Sequence, residues 1–189
     1  MPKLNVIVAS NRPGRSGRTV ADWFVPIAEQ HGGFEVVLAD LAEIGLPFLD
    51  EPEHPASGRY THQHTKDWSA LNAAADAFVF VMPEYNFGFT APLKNAIDYL
   101  YQEWRYKPVG FVSYGMTSGG LRAVQMIKQV VTTLKMTPAT EAVTVFLRQH
   151  LAEDGTVRAD PALAESAVAM LDELGRLSSA LAPLRSADS

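Results

Sequence analysis

The apolar positions of the chain fall into short unbroken runs separated by stretches of helical spacing. Leu4, Val6, Ile7, Val8 and Ala9 form the first run, closed by Ser10-Asn11-Arg12-Pro13-Gly14, which predicts a strand buried on both faces and then a turn. Val20, Trp23, Phe24 and Ile27 recur at the interval of a helix. Gly32-Gly33 stops that helix before Phe34, Val36, Val37 and Leu38 make a second strand. Pro26 sits inside the helical pattern, where its missing N–H works against a straight helix. From Asp40 to His64 the periodicity is lost, and five prolines or glycines between Gly45 and Gly58 predict a long connection.

Trp68, Leu71 and Ala75 mark a short helix, and Ala77 to Met82 is the most continuous buried strand, ending at Pro83. Asn86, Phe87 and Gly88 read as a loop. Pro92 then stands where a first helical turn tolerates it, followed by the stripe Leu93, Ala96, Ile97 and Leu100. Val109 to Ser113 predicts a fourth strand, Gly115 to Gly120 a glycine-rich loop, and Leu121, Val124, Ile127, Val131 and Leu134 a helix face. Ala142 to Phe146 predicts a fifth strand and Asp154-Gly155 a turn. Asp160-Pro161 opens a last helix with Leu163, Ala167, Met170, Leu171 and Leu174 on one side. Five strands alternating with five helices predict an α/β fold, a parallel sheet covered on both faces, because parallel strands need crossover connections. No internal repeat or linker interrupts it, so residues 1–182 are expected to form a single domain, with 183–189 a frayed tail.

Composition narrows the function. At 189 residues and 47% hydrophobic, the chain can bury a core without covalent staples. Its net charge of −5, with no basic cluster, argues against nucleic acid or anionic membrane as a partner. The chain has no cysteine, which removes disulfides, thiolate nucleophiles, thiolate-held iron–sulfur clusters and Cys-type zinc sites, so redox chemistry needs a borrowed cofactor. The N-terminus carries no signal-type apolar segment and no later stretch is long enough to span a bilayer, so a cytoplasmic protein is expected.

In open parallel sheets the ligand sits beyond the carboxyl ends of the strands. That rule singles out the loops Ser10 to Thr19, Pro83 to Thr90 and Ser113 to Gly120. The first offers hydroxyls, glycines and guanidinium groups at a helix N-terminus, where backbone N–H groups and the helix dipole favour a phosphate. It contains neither Gly-x-Gly-x-x-Gly nor Gly-x4-Gly-Lys-Ser/Thr, so neither a dinucleotide fingerprint nor a nucleoside-triphosphate loop is supported. Taken alone it also fits a solvated turn. Pro83-Glu84-Tyr85-Asn86-Phe87-Gly88 can pack a planar ring and hydrogen-bond its edge, or simply pack on its own domain or a partner chain. The glycines of Ser113-Tyr114-Gly115-Met116-Thr117-Ser118-Gly119-Gly120 let backbone approach a flat ligand, and the same residues also make a plain strand-to-helix turn. Gly115 to Gly119 does not match the Gly-x-Ser-x-Gly of a hydrolase nucleophile. Together the three loops have the make-up of a flavin mononucleotide (FMN) site.

Four segments carry a resemblance to the NAD(P)H-dependent FMN reductase family of flavodoxin-like proteins, which includes quinone, azo-dye and chromate reductases. They are Ser10-x-Arg12 with Gly14-Arg15-Ser16, Pro83-Glu84-Tyr85-Asn86, Ala91-Pro92-Leu93-Lys94-Asn95-Ala96-Ile97-Asp98, and Ser118-Gly119-Gly120. The resemblance runs from the first strand through the last helix. It implies a three-layer fold with a five-stranded sheet in the order 2-1-3-4-5, FMN at the carboxyl ends, NADPH or NADH as donor, and a homodimer or homotetramer with sites near subunit interfaces. Carried over by position, Ser10, Arg12, Arg15, Ser16 and Gly17 would hold the FMN phosphate. Pro83, Glu84, Tyr85 and Asn86 would contact the isoalloxazine, with Ser113, Gly115, Ser118 and Gly119 along its other side. The chain departs from many relatives in reading Gly17-Arg18-Thr19 after Ser16, which leaves Arg18 for the 2′-phosphate of NADPH or for the open surface.

The implied reaction is hydride transfer from nicotinamide to flavin N5, then transfer of two electrons to a small acceptor such as flavin, quinone or azo compound, in ping-pong order. The cofactor supplies that chemistry, so no side chain is assigned as catalytic, and a product's proton can come from Tyr85, Tyr114 or water. The competing reading is a flavodoxin-type one-electron carrier or flavin-binding sensor without nicotinamide turnover. His54, His62 and His64 lack the spacing of a metal site and read as surface residues. Tyr99, Tyr101, Trp104 and Tyr106 follow the Pro92 helix and are expected at a subunit interface.

Overall fold

Side-chain alternation decides which helices each strand can bury. In the computed structural model, which describes residues 1–158 and 160–187, the chain begins with strand β1 (Lys3–Val8), helix α1 (Gly17–His31), β2 (Glu35–Asp40) and a one-turn helix α2 (Leu41–Ile44). Helix α3 (Gln63–Ala73), β3 (Ala77–Pro83), α4 (Ala91–Asp98), β4 (Pro108–Gly115) and α5 (Leu121–Thr133) follow. The chain closes with β5 (Thr137–Pro138), β6 (Val143–Phe146), α6 (Leu147–His150) and α7 (Pro161–Ala187). Ile7, Phe78, Phe80, Met82, Val109 and Phe111 project to one face, against Trp68 of α3, Leu93 and Ile97 of α4, and Ile127 of α5. Val6, Val8, Val79, Val81 and Val112 project to the other, against Val20 and Phe24 of α1 and Met170 and Leu174 of α7. Every residue of β3 is buried, as its unbroken apolar run predicts for a central parallel strand. The fully buried Phe24, Phe78, Phe80 and Phe111 contribute about 1.5–3 kcal/mol each through that burial.

All ladders are parallel and the strand order is β2-β1-β3-β4-β5, so the sequence reverses direction across the sheet between β1 and β3. The outer edge departs from the five-strand expectation. β4 holds two short partners in succession: β5 pairs with Pro108 and Val109, and β6 pairs with Val112 to Gly115. The expected strand at Ala142 to Phe146 is therefore the second half of an interrupted edge. Among the described residues no helix is long and apolar enough to cross a membrane.

Three expectations change. Tyr99 and Trp104 are fully buried within the chain instead of lying at a subunit interface. The indole N–H groups of Trp68 and Trp104 donate to the carbonyls of Ala96 and Ile97 at 2.9 and 3.0 Å, which removes the cost of burying them. Helix α7 continues through Pro183 to Ala187, past the start of the expected tail, and Arg185 donates to the Tyr106 carbonyl at 3.0 Å, holding that end of the helix against the β4 side of the sheet. Residues 188–189 of the tail lie outside the described residues. The long connection carries α2 and one further turn at Pro55–Ser57. Its histidines brace it: His54 accepts from Ala56 N at 3.1 Å, and His64 Nε2 lies 3.0 Å from Asp50 and stacks on His62.

Candidate active site

The loop between β1 and α1 is shaped by what lies under it. Ser10 is 1% exposed, and its Oγ accepts the hydroxyl of buried Tyr114 at 3.1 Å. Gly17, the first residue of α1, packs on both: a Cβ there would stand 2.3 Å from Ser10 Oγ and 2.6 Å from the Tyr114 oxygen. Only glycine lets the helix start this close to the sheet. Arg15 closes the loop from the side, donating to the Ser10 carbonyl at 2.9 Å and to both carboxylate oxygens of Asp40 at 2.9 and 2.8 Å. Asp40 also accepts from Ala42 N at 3.0 Å, so one buried carboxylate fixes this loop and the start of α2.

The result is a helix end prepared for an anion. Ser16 makes no side-chain cap for α1 and no acidic residue stands in the first turn. The N–H groups of that turn have no intrahelical acceptor, and the helix dipole adds positive potential. Arg12 and Ser16 face the adjacent cleft.

The loop after β3 is a tight two-residue turn. Tyr85 and Gly88 exchange N–H to carbonyl bonds at 2.9 Å each, and the central Asn86 and Phe87 both take positive φ, 50° and 72°. Such a turn suits Asn-Gly, so Phe87 holds a costly conformation while 63% exposed. The Arg122 guanidinium lies 3.8 Å from its ring centre. Arg122 also donates from Nε to Glu84 at 2.6 Å, and Glu84 accepts from Ser118 Oγ at 2.5 Å and Arg122 N at 3.1 Å. Burial alone raises the Glu84 pKa, but the hydrogen bonds from Arg122 and Ser118 outweigh it and hold the carboxyl below its usual range. Glu84 thus locks the β3–α4 loop to the start of α5.

The loop after β4 is held from beneath. Ser113 is 1% exposed and donates to the Gly119 carbonyl at 2.8 Å. Gly119 has φ 60°, and a Cβ there would stand 2.2 Å from Thr144 Cγ2, so backbone lies directly on β6.

These loops enclose a cleft of about 510 Å³. Arg12, Ser16, Pro83, Glu84, Tyr85 and Gly115 line it, with Tyr114 as part of its floor. A separate cavity of about 620 Å³ on the far side of the β1–α1 loop is lined by Leu41, Leu46, Pro47, Phe48 and Pro92 with the amides Asn11 and Asn95, and has no charged lining. The guanidinium group at the cleft therefore favours the cleft for a phosphate ligand.

Several predicted contacts have other tasks in the structure. Ser10 and Ser113 are buried hydrogen-bond partners, and Gly17 and Gly119 supply close approach beneath the loops. Arg15 is committed to Asp40, which makes it a positioning residue. Ser118 spends its hydroxyl on Glu84, and Asn86 supplies a turn conformation. Arg18 is not spare: Nε donates to Asp22 at 2.8 Å and Nη1 to Glu43 at 2.9 Å. Tyr114 is 3% exposed with its hydroxyl on Ser10, and burial pushes its pKa up, so it gives up a proton less readily than a free phenol.

Sequence reasoning missed the fourth wall, Leu147, Arg148 and Leu151, which stands beside Met116 of the predicted Ser113 to Gly120 loop. Leu147 and Arg148 follow β6 immediately, so the carboxyl-end rule already pointed to them.

A family model described as NADPH-dependent FMN reductase matches residues 2–149. An NAD(P)H-dependent FMN reductase of Schizosaccharomyces pombe is 42% identical over 164 residues, covering 86% of this chain and 80% of that protein. An NAD(P)H:quinone oxidoreductase of Solanum tuberosum is 42% identical over 101 residues, 52% of this chain and 50% of that protein. Among solved structures, the flavoenzyme NAD(P)H:(acceptor) oxidoreductase FerB from Paracoccus denitrificans superposes with a TM-score of 0.75 at 19% identity, covering 95% of this chain and 98% of that one, a likeness of fold. With the match over residues 2–149 and the three predicted loops assembled on one cleft, the chain belongs to the NADPH-dependent FMN reductase family.

Proposed function

We propose that the cleft binds FMN and that the protein is an FMN-dependent oxidoreductase using NAD(P)H to reduce a small acceptor such as a flavin or quinone. The observation that carries this is the uncapped start of α1 beside Arg12 and Ser16, at one end of a cleft whose walls are Pro83, Tyr85 and Gly115. Arg12, Ser16 and the first-turn N–H groups would hold the phosphate, while Pro83, Tyr85 and Gly115 would pack the ring. FMN, when bound, accepts two electrons from a reduced nicotinamide and delivers them to an acceptor.

The chain's own residues bind and orient. Arg15 and Asp40 hold the phosphate loop in its binding shape, and Glu84 with Arg122 and Ser118 fixes the two ring-side loops relative to each other. Preorganised loops of this kind lower the entropic cost of bringing two planar partners into register. Tyr85, 40% exposed, is the phenol the cleft presents for a product's proton, with water as the other source.

One cleft of this size serves donor and acceptor in turn, which gives ping-pong kinetics. Initial rates measured against NADPH at several fixed concentrations of a benzoquinone acceptor would then give parallel double-reciprocal lines. Intersecting lines would mean that both substrates bind together and would reject the shared cleft. We also assign the protein to the cytoplasm, as a homodimer or homotetramer. The exposed Tyr85, Phe87 and Met116 support a subunit contact near the cleft, and sedimentation of the FMN-loaded protein tests it.

A further inference from the structure

Five arginines stand on the loops and helix ends around the cleft, and three are committed to carboxylates: Arg15 to Asp40, Arg18 to Asp22 and Glu43, and Arg122 to Glu84. Arg12 and Arg148 have no carboxylate partner among the described residues, and both line the cleft. They come from different strands' ends, Arg12 after β1 and Arg148 after β6, so the cleft reaches from one to the other across the ends of β3 and β4. In a chain of net charge −5, two uncompensated guanidinium groups on one cleft mark places for two anionic groups. The FMN phosphate accounts for the one at Arg12 and leaves the other without a ligand.

The backbone that carries Arg148, an exposed residue, is held in place. Phe146 N donates to His150 Nδ1 at 3.0 Å, Leu151 N to the Leu147 carbonyl at 3.0 Å, and Arg158 N to the His150 carbonyl at 2.7 Å. His150 Nε2 lies 3.3 Å from Asp160, ahead of α7. Helix α6 is thereby pinned at both ends, with Leu147 and Leu151 giving the cleft wall an apolar surface on either side of the arginine.

We propose that Arg148 binds a phosphate of the dinucleotide donor. This rests on the reading of the cleft as an FMN and NAD(P)H site. A guanidinium on a fixed helix suits a phosphate oxygen pair, and either the 2′-phosphate of NADPH or the diphosphate shared with NADH offers one.

The test is calorimetric binding of NADP⁺ and NAD⁺ to FMN-loaded protein, wild type against Arg148→Gln, with FMN affinity of the apoprotein measured alongside. Because binding of oxidised dinucleotide needs no turnover, a protein that binds but does not reduce FMN would refute the reductase reading and leave this one standing. The expected result is an affinity loss of about tenfold or more, the scale of one charged hydrogen-bond pair, with FMN affinity unchanged. Loss for NADP⁺ alone supports the inference and places the 2′-phosphate at Arg148; loss for both dinucleotides supports it and places the diphosphate there. Equal dinucleotide affinity in the two proteins, no dinucleotide binding by wild type, or a loss of FMN affinity in the variant would each overturn it.

Discussion

Arg15 grips Asp40 with two parallel hydrogen bonds, Nη1 to Oδ1 at 2.9 Å and Nη2 to Oδ2 at 2.8 Å, while the Asp40 side chain is 1% exposed. The pair joins the β1–α1 loop to the end of β2. Removing Arg15 strands a buried carboxylate, with only Arg18 at 3.8 Å to compensate. Arg15→Ala is therefore expected to cost about 3 kcal/mol of stability. The double variant Arg15→Ala, Asp40→Ala should cost clearly less than the two single losses added, and denaturant unfolding of the four proteins measures the coupling. Additive losses would mean that the pair does not act as a unit.

Arg12 has a different task. Its exposed side chain donates to the neighbouring Pro13 carbonyl at 3.3 Å, so that side chain adds little to the fold. Arg12→Ala should leave the melting temperature within a degree or two and weaken FMN binding by roughly 1.5–3 kcal/mol, the scale of a charge-assisted hydrogen bond. Quenching of flavin fluorescence gives the affinity. Unchanged affinity would move the phosphate elsewhere.

The close start of α1 predicts a compensating pair. In Gly17→Ala the new methyl meets Ser10 Oγ and the Tyr114 hydroxyl, so a loss of about 1–3 kcal/mol is expected. Adding Tyr114→Phe removes one of the two obstructing atoms and should recover part of that loss. If thermal unfolding shows no recovery, the helix start is limited by some other contact.

Glu84 sets the acid sensitivity of the ring-side loops. Its carboxyl titrates below the usual range in the folded protein, because the bonds from Arg122 and Ser118 outweigh the opposing effect of burial. Its contribution is then complete above the unfolded pKa of about 4.3 and is lost as pH falls through the lower folded value. Glu84→Gln should cost about 1–3 kcal/mol at neutral pH, with the gap to wild type closing below about pH 4. A gap constant down to pH 3 would show that the charge of Glu84 is not what holds the loops.

How far the site was legible depends on whether a residue's task is local. Strand runs, the Pro92 helix start and the three carboxyl-end loops are written in adjacent residues, and all appear where the pattern puts them. Arg15 and Arg18 sit in a run of hydroxyls and glycines that reads as a phosphate cradle, but their partners Asp40 and Glu43 come from the end of β2 and from α2, brought alongside only by the sheet. Ser10 and Ser113 are alike in sequence to cradle residues, and only packing shows that both point inward. Phe87 stands where a turn of this type favours glycine, and its left-handed backbone is imposed by the hairpin and faced by Arg122, which no local pattern reveals. Arg148 was legible in principle, since it follows a strand predicted from the sequence, but that strand forms half of an interrupted edge and its loop lacked the glycines and aromatics that drew attention to the others.

The most direct test of the account is an anaerobic titration of the FMN-reconstituted protein with NADPH and then NADH, following flavin absorbance near roughly 450 nm, where the oxidised cofactor absorbs. Prompt bleaching straight to the two-electron form by at least one donor is the predicted result. Bound flavin that neither donor bleaches, or a protein that binds no flavin, would contradict it.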